Sequence, residues 1–83
     1  MLDAKKLELL LREFMKNEIM LTQIDFISNS DELPLDSLAQ TELRVYLENE
    51  FGFNTDLDSM PIDVSKTLSN LINYILKKMK KTA

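Results

Sequence analysis

Apolar residues recur at helical spacing in three stretches of the chain. The first is Leu7, Leu10, Leu11 and Phe14, at i, i+3, i+4 and i+7, with Lys5, Lys6, Glu8, Arg12, Glu13 and Lys16 on the other sides. This spacing predicts a helix near residues 3–17, extending at most to Met20, with Asp3 as its cap. The second stretch covers 37–51 and holds neither Pro nor Gly. Leu43, Leu47 and Phe51 stand four apart there and form its core stripe, Glu42, Glu48 and Glu50 fall mostly off that stripe, and Gly52 suits the helix end. The third is Leu68, Leu71, Ile72, Ile75, Leu76 and Met79, with Thr67 able to cap it. That stripe is read wholly as core.

Between the first two stretches lies a long connection, residues 21–36. A connection of this length is uncommon in a small domain and often carries function. Ile24, Phe26, Ile27 and Leu33 are expected to pin it to the core. Asn29-Ser30-Asp31 reads as a turn, and Pro34 holds Leu33 extended. After Asn54-Thr55-Asp56, Leu57 and Met60 stand three apart and predict a short helical turn that Pro61 ends or bends. Three longer helices and one short third helix cannot bury their stripes alone. The expected fold is all-α, a small four-helix bundle with a long first loop, and residues 1–83 form a single domain.

Composition narrows the functions. With 83 residues the chain can build one modest core, and 45% hydrophobic content suits a folded domain rather than a disordered one. The net charge of −4 argues against nucleic acid, whose affinity for proteins rests on Lys and Arg neutralising phosphates. It suits docking onto basic patches of protein partners. Lys77, Lys78, Lys80 and Lys81 give a positive tail, which complements a helix C-terminus. The chain contains no Cys and no His, so disulfides are excluded and the commonest general base and metal ligand are missing. Its acidic residues lack the spacing of a calcium loop. No catalytic group, metal site or enzyme activity is expected. No apolar run approaches membrane-span length and no signal-peptide pattern opens the chain, so a cytoplasmic monomer is the expectation.

The chemistry worth weighing sits at Asp36-Ser37-Leu38, where the second helix begins. One reading makes Ser37 the cap, since Ser37-Leu38-Ala39-Gln40 fits a Ser-x-x-Gln capping box. The other makes Asp36 the cap and leaves the Ser37 hydroxyl free in the first turn. A helix start favours a phosphate, because its N–H groups are unpaired and carry partial positive charge. Asp58-Ser59-Met60 repeats the triplet, but Pro61 follows at once and no long striped helix begins there.

The run Glu32-Leu33-Pro34-Leu35-Asp36-Ser37-Leu38, with Glu42-Leu43, Leu47-Glu48 and Phe51-Gly52-Phe53 after it, resembles the modification site and second helix of acyl carrier and peptidyl carrier proteins. The resemblance spans roughly 5–76 and is specific only around 32–53. It implies a four-helix carrier fold with a long first loop and a short third helix. It also implies that Ser37 bears 4′-phosphopantetheine, covalently attached from coenzyme A, whose thiol holds an acyl, aminoacyl or peptidyl group as a thioester. A phosphopantetheinyl transferase would bring the base and metal ion. The Ser37 oxygen would attack the coenzyme's diphosphate and displace adenosine 3′,5′-bisphosphate. Asp36 would help position that enzyme, and Leu38, Glu42, Val45 and Glu48 match positions that contact partners. Those partners would be the transferase, an acyl- or aminoacyl-loading ligase or transferase, and downstream synthase or tailoring enzymes.

Three departures stand out. Pro34 replaces a Gly common in the family, Ala39 stands where bacterial fatty-acid carriers often have an acid, and Arg44 adds a positive charge to the docking region. A less acidic face points to a specialised pathway of polyketide, nonribosomal peptide or aminoacyl transfer, more than to housekeeping fatty-acid synthesis. The alternative function is a small helical protein–protein interaction module that is never modified.

Overall fold

The computed structural model describes residues 3–52 and 60–82. It contains three α-helices: α1 (Ala4–Asn17), α2 (Ser37–Phe51) and α3 (Leu68–Thr82). Two 3-10 helices, Thr22–Phe26 and Ile62–Ser65, lie in the connections. No strand occurs among the described residues, which agrees with the all-α expectation. Among the described residues three α-helices and two 3-10 helices are seen, and the count of four helices is not confirmed. The turn expected from Leu57 to Met60, before Pro61, lies largely outside the described residues, and a 3-10 helix follows Pro61 at Ile62–Ser65. Proline at the entrance of a helical turn loses no hydrogen bond, because the N–H there has no partner within the turn.

Each helix is bounded by the chemistry at its ends. The Asp3 carboxylate accepts from the Lys6 N–H at 2.9 Å and starts α1. The Thr67 hydroxyl accepts from the Asn70 N–H at 3.1 Å and starts α3. Gly52 ends α2 with φ 74°, its N–H donating to the Glu48 carbonyl at 2.8 Å. Met20 also lies in the left-handed region, at φ 64°, where a side chain is strained.

The core joins all three helices. Leu7, Leu11, Phe14 and Met15 of α1 meet Leu43 and Leu47 of α2 and Leu68, Leu71, Ile72 and Ile75 of α3. Met60 is fully buried with them. Leu10, Phe51, Leu76 and Met79, expected in the stripes, are only half-buried.

The first loop is pinned by Leu21, Ile24 and Leu33, with Ile27 packed against them. Phe26 is not pinned: it is 90% exposed, contrary to expectation. A 3-10 helix has three residues per turn, so Leu21, Ile24 and Ile27 share one face and Phe26 is turned away. A polar network not expected from the pattern fastens the same loop. The Arg12 guanidinium donates to Glu8 at 3.1 Å, to Asn29 at 2.8 Å and to the Ile24 carbonyl, while the Asn29 amide donates back to Glu8 at 2.9 Å. The Asn29 hydrogen bond, opposed by partial burial and assisted by Arg12, holds the Glu8 carboxyl below its ordinary range. The Asn29 carbonyl accepts from the Ser69 N–H at 2.9 Å, so the network ties α1, the loop and α3 together.

Candidate functional site

The loop reaches α2 through a short clamp. The Leu33 N–H donates to the Lys66 carbonyl at 2.7 Å, beside an isolated antiparallel bridge between Glu32 and Thr67. Burial of Leu33 and the fixed backbone of Pro34 then deliver Leu35 and Asp36 to the helix start.

At that start the two capping readings are resolved. Asp36 is the N-cap, with extended backbone, and its carboxylate accepts from the Ala39 N–H at 2.8 Å. Ser37 is the first helical residue, exposed, and its hydroxyl takes no part in the cap. Gln40 does not complete a capping box. Its amide oxygen instead accepts from the hydroxyl of fully buried Ser65 at 2.6 Å, which ties the second 3-10 helix to the first turn of α2. The Ser37 and Leu38 N–H groups belong to those a helix start leaves without intrahelical partners. The site thus offers a free hydroxyl beside unpaired N–H groups at the positive end of α2.

The remaining face of α2 follows from its 100° per residue. Ala39, Leu43 and Leu47 are buried along one side. Leu38, Glu42 and Val45 form a strip on the opposite side, with Leu38 68% and Val45 51% exposed. Apolar side chains on an outward strip gain nothing from the fold itself. Glu48 is exposed on the flank of that strip, in line with Ser37 and Thr41. One of the departures noted above leaves the face. Ala39 is buried, whereas Arg44 is half-buried, 100° around the helix from Val45 and one turn before Glu48, so it flanks the face on the Glu48 side.

Ser59, the alternative serine, lies outside the described residues. Among the described residues no cluster of three or more His, Cys, Asp or Glu could hold a metal ion. No helix among them is long and apolar enough to cross a membrane.

Comparison with known proteins gives one match. The model of the family described as phosphopantetheine attachment site matches residues 10–75, most of the chain. Members of that family are non-catalytic carriers with covalently attached 4′-phosphopantetheine. No curated protein and no solved structure matches.

Proposed function

The chain belongs to the phosphopantetheine-attachment family, and from that premise we propose that Ser37 is the residue that carries the group. The observation behind this assignment is the division of labour at the start of α2. Asp36 satisfies the Ala39 N–H, so the exposed Ser37 hydroxyl is not needed by the fold.

The residues present fit the group. A phosphodiester on Ser37 Oγ would stand at the positive end of α2, near the unpaired Ser37 and Leu38 N–H groups. Asp36 fixes the turn that holds the hydroxyl outward. When bound, the arm supplies a thiol that carries an acyl, aminoacyl or peptidyl group as a thioester. The chain's own part is to hold Ser37 at a rigid helix end and to present a face by which enzymes find it.

We assign that face to Leu38, Glu42, Val45 and Glu48. Leu38 and Val45 supply apolar contact; Glu42 and Glu48 supply charge that steers basic surfaces. The partners are a phosphopantetheinyl transferase, a loading ligase or transferase, and downstream synthase or tailoring enzymes of a biosynthetic pathway. We place the protein in the cytoplasm as a monomeric carrier. With Ala39 buried, the cargo class stays broad: acyl, aminoacyl or peptidyl.

The test is transfer from a fluorescent coenzyme A analogue by a phosphopantetheinyl transferase with magnesium. Wild type takes up the label and Ser37→Ala does not. Glu42→Lys and Glu48→Lys are modified with a raised KM for the carrier and little change in kcat. Equal labelling of Ser37→Ala would overturn the site, and unchanged KM in both charge reversals would overturn the face.

A further inference from the structure

A groove separates the C-terminal half of α1 from α2; it shares Glu42 and Val45 with the docking face, but its α1 wall and aromatic floor lie outside that face. Its floor is the Phe14–Tyr46 pair, stacked with ring centroids 4.0 Å apart and planes 20° apart, and Val45 edges it. The hollow measures about 450 Å³, and a neighbouring one of about 280 Å³ shares Phe14, Glu18 and Tyr46 with it. The rim is acidic: Glu18 and Glu42 border the larger hollow, and Glu13, Glu18 and Glu50 the smaller. All four glutamates are exposed. No lysine or arginine lines either hollow among the described residues, although the chain as a whole has 10 Lys and Arg.

We propose that this groove seats a basic amphipathic helix of a partner protein, one large apolar side chain lying on the Phe14–Tyr46 floor and Lys or Arg residues meeting the glutamate rim. The charge pattern selects this occupant. Four like charges around an apolar slot oppose one another until cations arrive, and an aromatic floor rewards an apolar anchor. Cations have a further contact available, since Tyr46 offers a ring face.

The location separates this contact from the Ser37 hydroxyl but not from the docking face. Val45 lies eight positions after Ser37, about 12 Å along the helix axis at 1.5 Å per residue. The hollow also reaches Thr41 and Glu42, so a helix seated in it leaves the Ser37 hydroxyl itself uncovered but lies over part of the docking face. Because Glu42 and Val45 belong both to the groove and to the face assigned to the modifying enzyme, a partner seated here competes with that enzyme for the carrier. The inference rests on the carrier reading only for that consequence; the groove itself does not depend on it.

The probe is a synthetic helical peptide with leucines on one face and lysines flanking them, titrated into the full chain with backbone amide spectra recorded. A control peptide keeps the lysines and replaces the leucines with serine. The expected shifts map to Phe14, Glu18, Val45, Tyr46 and Asn49, and the control binds at least tenfold more weakly. The double variant Glu18→Lys/Glu50→Lys loses binding at least tenfold yet is modified at Ser37 at the wild-type rate. Ser37→Ala binds the peptide as wild type does. Shifts confined to Leu38 and Glu48, or equal binding by the double variant, would overturn the proposal. So would groove shifts that grow with protein concentration alone, since the occupant would then be a second copy. Peptide binding at the groove without modification of Ser37 would sink the carrier reading and leave this one standing.

Discussion

Replacing Asp36 by Ala should destabilise the protein, and replacing Ser37 by Ala should not. The Asp36 carboxylate holds the Ala39 N–H at 2.8 Å, and losing such a cap costs about 1 kcal/mol. Its charge at the positive helix end adds about 0.3–1 kcal/mol, toward the lower value because Asp36 is exposed and screened. The sum is about 1.5 kcal/mol, which lowers Tm by roughly 6–12 °C in a domain of this size. Ser37 is exposed and outside the cap, and Ala is the better helix former by about 0.5 kcal/mol. Ser37→Ala is therefore neutral or slightly stabilising. Urea unfolding at neutral pH, followed by circular dichroism, measures both variants, with equal m-values required for the comparison. Asp36→Asn separates the two contributions, since its amide oxygen still accepts the hydrogen bond and only the charge is lost. If Ser37→Ala lowered the midpoint as far as Asp36→Ala, the hydroxyl would be a cap after all, and the reasoning that frees it for modification would fail.

Other perturbations report on the scaffold. Arg12→Ala removes donors from Glu8, Asn29 and the Ile24 carbonyl together and should cost about 2–3 kcal/mol in urea unfolding. Met20→Gly relieves a left-handed residue at an exposed position and should raise stability by about 0.5–1 kcal/mol in the same assay. Burial, then the charges of Glu50 and Glu13, push the Tyr46 hydroxyl up to about 12 from its ordinary 10.0. The folded state thus favours the neutral phenol, so this share of stability is whole below pH 10.0 and is lost as pH rises through 12. Tyr46→Phe should flatten that alkaline fall in unfolding free energy.

The helices were legible because their signals are local. Leu7, Leu11, Leu43, Leu47, Leu71 and Ile75 repeat at helical spacing, and Asp3, Thr67 and Gly52 mark ends by chemistry confined to one turn. The first loop was less legible. Whether Phe26 turns inward depends on 3-10 rather than α winding, a difference the apolar spacing does not carry. The Arg12–Glu8–Asn29 network was hidden for another reason. Arg12 and Glu8 are four apart and read as an ordinary solvated pair, and only the fold brings Asn29 to them. At the candidate site, Asp36 and Ser37 both pass as caps in sequence, and the choice turns on one backbone geometry. Gln40 looked like the return arm of a capping box until Ser65, 25 positions away, took its amide oxygen. Burial likewise removed Ala39 from the docking face, where sequence proximity had put it.

The central claim is that Ser37 bears the phosphopantetheine. Intact-mass analysis after incubation with coenzyme A, magnesium and a broad-specificity phosphopantetheinyl transferase tests it most directly, run on wild type, Ser37→Ala and Ser59→Ala side by side. The account predicts a single phosphopantetheine addition to wild type and Ser59→Ala, and none to a folded Ser37→Ala. Addition that persists in Ser37→Ala and vanishes in Ser59→Ala would contradict it. Failure of folded wild type to accept the group from several such transferases would do the same.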